Sequence, residues 1–263
     1  MPRLLGPHLR GNRDFARMWA SLTVSSLGDR FTSLALPTVA ILALGAGSTT
    51  VGLLAMFGEL PELLFSMVGG VIADRGPRRT ILVTCDIVNA LAIGSVPLLS
   101  ALGHLSIAQL YAVATVEGIA ALLSFLTFYA VLPGVAGRHA LSDANARLEA
   151  SRQASLVAGP GLAGGLIQLV GAARAMIVDS VSFICSAVLL AGLRGTGRAA
   201  MTGERPGFLR DLRDGARLVF ADRHLRRLAF CSSLANFGAG MGLAVSLLFL
   251  YREAGMTPGE IGV

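Results

Sequence analysis

Lysine is absent from this 263-residue chain; all 22 basic residues are arginine. A Walker-type phosphate loop needs a lysine on the nucleotide phosphates, so the chain is not itself a nucleotide-driven pump. A retinal-type Schiff base needs a lysine amine as well. Charge of either sign is scarce, at 14% of residues, against about 25% in soluble domains. The three cysteines, Cys85, Cys185 and Cys231, fall inside apolar runs at unrelated spacings. An odd count without regular spacing gives neither a disulfide framework nor a metal site. His8, His104, His139 and His224 fall in expected loops or tails. No metal and no cofactor are therefore expected. The first 17 residues carry Arg3, Arg10, Arg13 and Arg17, but the apolar run that follows is far longer than a signal-peptide core.

What is abundant is apolar sequence. It makes up 54% of the chain and comes in long blocks. Runs of about 20 apolar residues, at 1.5 Å rise per residue, cross a bilayer core. The expected fold class is an all-α membrane protein. Seven spans are expected, at 17–44, 51–73, 80–102, 107–132, 144–170, 173–193 and 228–250. The organisation reads as a six-helix transmembrane domain (1–193), a linker (194–227) and one further helix (228–263). Within the linker, FLRDLRDGARLVF (208–220) places Phe208, Leu212, Ala216 and Val219 at helical spacing, as in an amphipathic interfacial helix. The chain stops at TPGEIGV, which reads as the opening of another helix. The expectation is that a carboxy-terminal half is missing.

If the spans alternate, eighteen arginines lie on one side, in the amino tail, the 74–79 loop, the 138–147 loop and 194–227. Only Arg174 and Arg252 lie on the other. Positive residues stay inside, which puts the amino terminus in the cytoplasm and the protein in the inner (plasma) membrane. The net charge of +6 thus reads as topology, with lipid as a partner and no nucleic acid.

The densest charge between spans is GGVIADRGPRR, 69–79. Gly69 and Gly70 permit close helix approach. Asp74 stands where it can attract a helix amino terminus, and Arg78 and Arg79 hold the loop inside. Gly70-x-x-Ala73-Asp74-Arg75-x-x-Arg78-Arg79 resembles the loop signature of the major facilitator superfamily, with Pro77 where a glycine is usual. NRDFARMWASLTVSSLGD (12–29), SDANARLEASRQASLVAGPGLAGG (142–165) and VDSVSFICSAVLL (178–190) are similar to its drug, macrolide and siderophore efflux branch. Gly159, Pro160 and Gly164 resemble the antiporter helix-packing motif, with Ala163 at a usual glycine. Asn89 stands where an arginine partner of Asp86 is often found. The resemblance implies a six-helix amino-terminal bundle of two inverted three-helix repeats, plus a seventh helix. It also implies a loop centred on Asp74 that contacts the opposite half. From the residues alone, Pro61 and Pro160 each precede a Gly-Gly, a faint sign of such a repeat.

Ionisable side chains inside a span are functional candidates, because burying them is costly. Asp29 and Arg30 lie in the first span, Glu59 and Glu62 flank Pro61 in the second, Glu117 is in the fourth and Arg152 in the fifth. Taking consecutive spans as neighbours, residue depth matches Arg30 with Glu62 and Glu117 with Arg152 as ion pairs. The resemblance puts the first and fourth helices on a central cavity, favouring Asp29, Arg30 and Glu117. Asp86, Glu149 and Asp179 read as structural residues near span ends or on peripheral helices.

These observations point to a secondary active transporter, with proton-coupled efflux of amphipathic small molecules by alternating access. Seven spans also fit a membrane receptor or sensor, although nine arginines after span six and the loop signature do not. An inactive transporter fragment is the other alternative. No clustered metal ligands or nucleophile motif suggests an enzyme. The orientation makes a direct prediction. Thr49→Cys should react with an impermeant thiol reagent from outside intact cells, and Glu204→Cys only after lysis. The reverse pattern would overturn the orientation.

Overall fold

The computed structural model describes residues 11–194, 217, 220–252 and 255–256. Among the described residues all regular structure is helical. The long helices are α1 (Arg13–Thr38), α2 (Ser48–Arg75), α3 (Arg78–Ala101), α4 (Ile107–Ala136), α5 (Leu141–Val170), α6 (Ala172–Ala191) and α7 (Arg223–Arg252). They match the seven expected spans to within a few residues at each end. The amphipathic segment 208–220 lies outside the described residues, except for Arg217 and Phe220.

Local chemistry sets the helix ends. Asn12 caps α1 by accepting the Phe15 amide at 2.9 Å. Pro37 lacks an amide for the ladder of α1, and the chain runs on into a π-helical turn, Val39–Ala43. Gly76 and Pro77 alone separate α2 from α3. Gly171 joins α5 to α6 by itself, with φ at 87°, where a side chain would be strained.

By length and composition, α2 to α6 are long and apolar enough to cross a membrane. The helix α1 has the length, but Asp14, Arg17, Asp29 and Arg30 dilute its apolar run. Three arginines, 223, 226 and 227, open α7.

The contacts reveal the architecture. The helix α1 packs on α5 and α6, while α4 packs on α2 and α3; α3 and α6 pack on each other. Exchanging α1–α3 with α4–α6 leaves this pattern unchanged, as two equivalent three-helix repeats require. The first helix of each trio is thus seated mainly on the other trio, so the two repeats hold each other in place. One expectation is corrected here. The first two spans are not close neighbours, because α2 has α4 as its main partner.

Four glycines make the close crossings. A Cβ on Gly118 would stand 2.2 Å from the Gly58 carbonyl oxygen and 3.1 Å from the Pro61 ring. One on Gly159 would stand 2.5 Å from Arg30 Cβ. These are the α4–α2 and α5–α1 contacts, equivalent under the exchange, with Pro61 at the first and Gly159, the residue before Pro160, at the second. Gly28 lies against Asp179 and Ser182, and Gly94 against Ser180. Gly69 approaches Leu126, but a Cβ on Gly70 would meet nothing within 4 Å. Of the two loop-side glycines, only Gly69 serves close approach here.

Two apolar clusters fill the bundle. One holds Phe15, Met18, Leu22, Leu82, Leu132, Leu148 and Leu190. The other holds Leu36, Val51, Ile93, Val96, Leu110 and Met176. Along α1, α3, α4 and α5 the charged side chains of the spans fall between the two. Of the cysteines, Cys85 is buried, whereas Cys185 and Cys231 are exposed.

These contacts give a paired prediction. Gly118→Val should lower stability by at least about 1–3 kcal/mol through overpacking. Gly70→Ala should raise it by up to about 1 kcal/mol, since alanine is the better helix former. Thermal melting in detergent tests both; equal effects at the two sites would refute the α2–α4 crossing.

Candidate functional site

Asp29 and Arg30 on α1 and Glu117 on α4 are all half-buried at mid-height of the bundle. Gly28, the residue before Asp29, lies against Asp179 of α6. Asp29, Arg30 and Glu117 fall in the stretch between the two apolar clusters. The fold adds two residues which the sequence reading assigned to structure. Asp179 on α6 is 0% exposed and Asp86 on α3 is 5% exposed. The Ser182 hydroxyl donates to Asp179 Oδ1 at 3.0 Å. Asp179 Oδ2, Asp86 Oδ2 and Asn89 Oδ1 are buried without a hydrogen-bond partner. Close by in the α1–α6 contact, the Ser21 and Ser186 hydroxyls share a hydrogen bond of 2.7 Å. The signal for Asp86 and Asp179 was visible, an aspartate within an apolar run. Position along the helix gave no clue to the direction each faces.

The expected ion pairs do not form. Arg30 rests its stem against Gly159 of α5, and its Nε is buried without a hydrogen-bond partner. Glu62 is on α2, away from α1, and is exposed together with Glu59; Pro61 between them is buried against α4. Arg152 does not reach Glu117. It donates to the Tyr129 hydroxyl at 3.0 Å and lies 5.5 Å from the centroids of both the Phe125 and Tyr129 rings. Cation–π contacts of this kind stabilise a guanidinium without a carboxylate. The single tryptophan, Trp19, joins this seam by donating to Ser151 Oγ at 2.8 Å. In the helix-packing motif, Gly159, Ala163 and Gly164 are buried on α5.

The 69–79 loop has a different structure from the one its charges suggest. Asp74 is exposed near the end of α2 and does not cap α3, whose N-cap is Pro77 with no side-chain hydrogen bond. Arg78 anchors the turn by donating to the Ala130 carbonyl of α4 at 2.9 Å. Arg79 is exposed and Arg75 half-buried. At the same end Asp14 pairs with Arg17 at 3.3 Å and accepts the Arg194 amide at 3.2 Å, tying α1 to the end of α6.

A groove of about 640 Å³ between α3 and α6 is lined by Ile87, Leu91, Leu98, Ile184 and Val188 among others. It contains no charged residue and is separate from the site above.

The aromatic seat of Arg152 is testable. Tyr129→Phe removes the hydroxyl acceptor and keeps the ring. It should cost about 0.5–1.5 kcal/mol of stability and shift Trp19 emission, both read in one thermal fluorescence scan. Unchanged emission and melting would dissociate Tyr129 from Arg152.

Comparison with known proteins agrees with this architecture. The model of the transmembrane secretion effector family, within the major facilitator superfamily, matches residues 8–258. The chain is 27% identical over 252 residues to the multidrug efflux pump Tap of Mycolicibacterium fortuitum, covering 93% of this chain and 61% of that protein. It is 30% identical to the uncharacterized transporter YfiS of Bacillus subtilis (strain 168), over 70% of this chain and 43% of YfiS. A third relative, the uncharacterized transporter y4rN of Sinorhizobium fredii, is 31% identical over 81% of this chain and 52% of its own length. The chain thus spans about half the length of the curated relatives it matches. With a helical bundle of two exchangeable trios, a charged middle layer and this family match, the chain belongs to the transmembrane secretion effector family of major facilitator transporters.

Proposed function

We propose that the chain is the amino-terminal bundle of a secondary active exporter of amphipathic small molecules, driven by protons. The observation that carries this reading is the layer of Asp29, Arg30 and Glu117. All three are half-buried at mid-height of an otherwise apolar bundle. Such residues are costly in a membrane and mark ion or substrate pathways. A carboxylate that gains and loses a proton as the site faces one side and then the other couples the gradient to export. Arg30 offers a fixed positive charge beside it, and Phe125 and Tyr129 an aromatic wall nearby. The name of the relative Tap, a multidrug efflux pump, supports small-molecule efflux.

In this reading a second bundle completes the cavity and meets the exposed Glu59, Glu62 and Asp74. The arginine-rich ends face the cytoplasm, and the protein resides in the inner membrane. Asp74, exposed and pointing away from any cap, is free to meet the second bundle; Arg78 holds its loop against α4.

Export by the complete transporter, from cells loaded with dyes, macrolides or siderophores and normalised to membrane-inserted protein, tests the proposal. Glu117→Gln should abolish uphill export and leave energy-independent exchange intact. Asp74→Asn should impair export without reducing insertion. Normal uphill export by the Glu117→Gln variant would remove Glu117 from the coupling step.

A further inference from the structure

The groove between α3 and α6 has a floor of small residues. A Cβ on Gly94 would stand 2.9 Å from Ser180 Oγ, so the two helices approach closely there. Ala90 and Ala187 continue the floor, and both are buried. The rims are branched side chains left in the open: Leu91 is 70% exposed and Val188 69%. The hydroxyls of the floor are already engaged. Ser180 donates to the Ala90 carbonyl at 2.7 Å. Ser95 donates to the Ala92 carbonyl at 2.6 Å and accepts from Gln109 Nε2 at 3.1 Å. An occupant therefore meets an apolar channel without directional contacts, which suits a hydrocarbon chain.

Length and charge narrow the choice of hydrocarbon. The groove follows α3 from Val83 to Leu98, about 22 Å at 1.5 Å per residue. The hydrocarbon of one leaflet is about 15 Å deep, half of the bilayer core, so a lipid tail can lie along it. Val83, Ile87 and Leu91 recur every fourth residue on one face of α3, and Arg79 is the preceding member of that series. Arg79 is exposed, whereas Arg78 beside it turns to the Ala130 carbonyl. Side chains on a helix lean toward its amino terminus, which carries Arg79 away from the bilayer centre. On α6 the same end of the groove finishes at Ala191, and Arg194 follows three residues later, also exposed. Neither guanidinium is in an ion pair among the described residues. Two unpaired cations thus stand at the mouth of an apolar channel as long as a lipid tail. Basic sites between transmembrane helices attract anionic headgroups. A second copy of the chain suits the groove less well. Two copies inserted the same way and meeting on this face would oppose arginine to arginine.

We propose that the α3–α6 groove holds one anionic phospholipid, with an acyl chain between Leu91 and Val188 and its phosphate at Arg79 and Arg194. The site is independent of the exporter reading above.

Tryptophan quenching on the 263-residue chain in lipid nanodiscs tests it. In a Trp19→Phe background, Leu91→Trp reports the groove. Val157→Trp, on an exposed face of α5, reports ordinary lipid contact. Phosphatidylglycerol and phosphatidylcholine with brominated chains are compared at the same low mole fraction. Quenching at position 91 should favour phosphatidylglycerol by about fivefold or more, the contribution of one arginine near an anionic headgroup. At position 157 the two lipids should quench alike. Arg79→Gln together with Arg194→Gln should abolish the preference at 91, and added salt should weaken it. Glycerol phosphate, which has the anion without the tails, should not displace the lipid. Equal quenching by the two lipids at 91, the same preference at 157, or a preference that survives both Gln substitutions overturns the site. Displacement by glycerol phosphate would overturn the role of the groove. Absence of quenching at 91 by either lipid, with cross-linking of two copies through this face, would replace the lipid by a second copy.

Discussion

In hydrocarbon, apolar side chains gain nothing by leaving their solvent for one another. A membrane bundle therefore depends on close backbone approach at small residues. Gly28, Gly94, Gly118 and Gly159 are where this bundle meets that requirement. They lie at the α1–α6, α3–α6, α4–α2 and α5–α1 crossings, which between them involve all six helices. Two of them, α4–α2 and α5–α1, are equivalent under the exchange of the trios.

Those glycines also set where charge resides. Gly28 opens the space that Asp179 occupies, and Gly159 seats the stem of Arg30. Gly118 follows Glu117 directly and receives Pro61, which precedes Glu62. At Gly28 and Gly159 the space that brings two backbones together also seats an ionisable side chain. The two apolar clusters lie to either side, and the costly groups are held in a layer rather than scattered through the core.

Much of this was legible in the sequence. Apolar block length and arginine spacing give the helices to within a few residues, since both follow from bilayer thickness. Depth was also legible: Asp29, Arg30 and Glu117 do share a level. Azimuth and neighbourhood were not. Matching depths paired Arg30 with Glu62 and Glu117 with Arg152, on the assumption that consecutive spans touch. The fold puts α2 on α4 and seats α1 on α5 and α6, so both pairs are lost. Asp179 was missed for the same reason. Its place on the sixth helix suggested the periphery, but a glycine on α1, 151 positions earlier, turns that face into the interior. The aromatic seat of Arg152 was missed because Phe125 and Tyr129 look like any other apolar residues of α4.

Helix closure and charge placement use the same positions, so substitutions there act on both. A side chain at Gly28 would displace Asp179 and Ser182 and also part α1 from α6. A side chain at Gly159 would move Arg30 and also part α5 from α1. Any motion that slides α1 along α5 or α6 must in turn change the surroundings of Asp29, Arg30 and Asp179 together. Small helix displacements at these crossings are thereby tied to the electrostatics of the middle layer. A bundle built in this way can convert a change of charge at its centre into a change of helix position, without a separate linkage between the two.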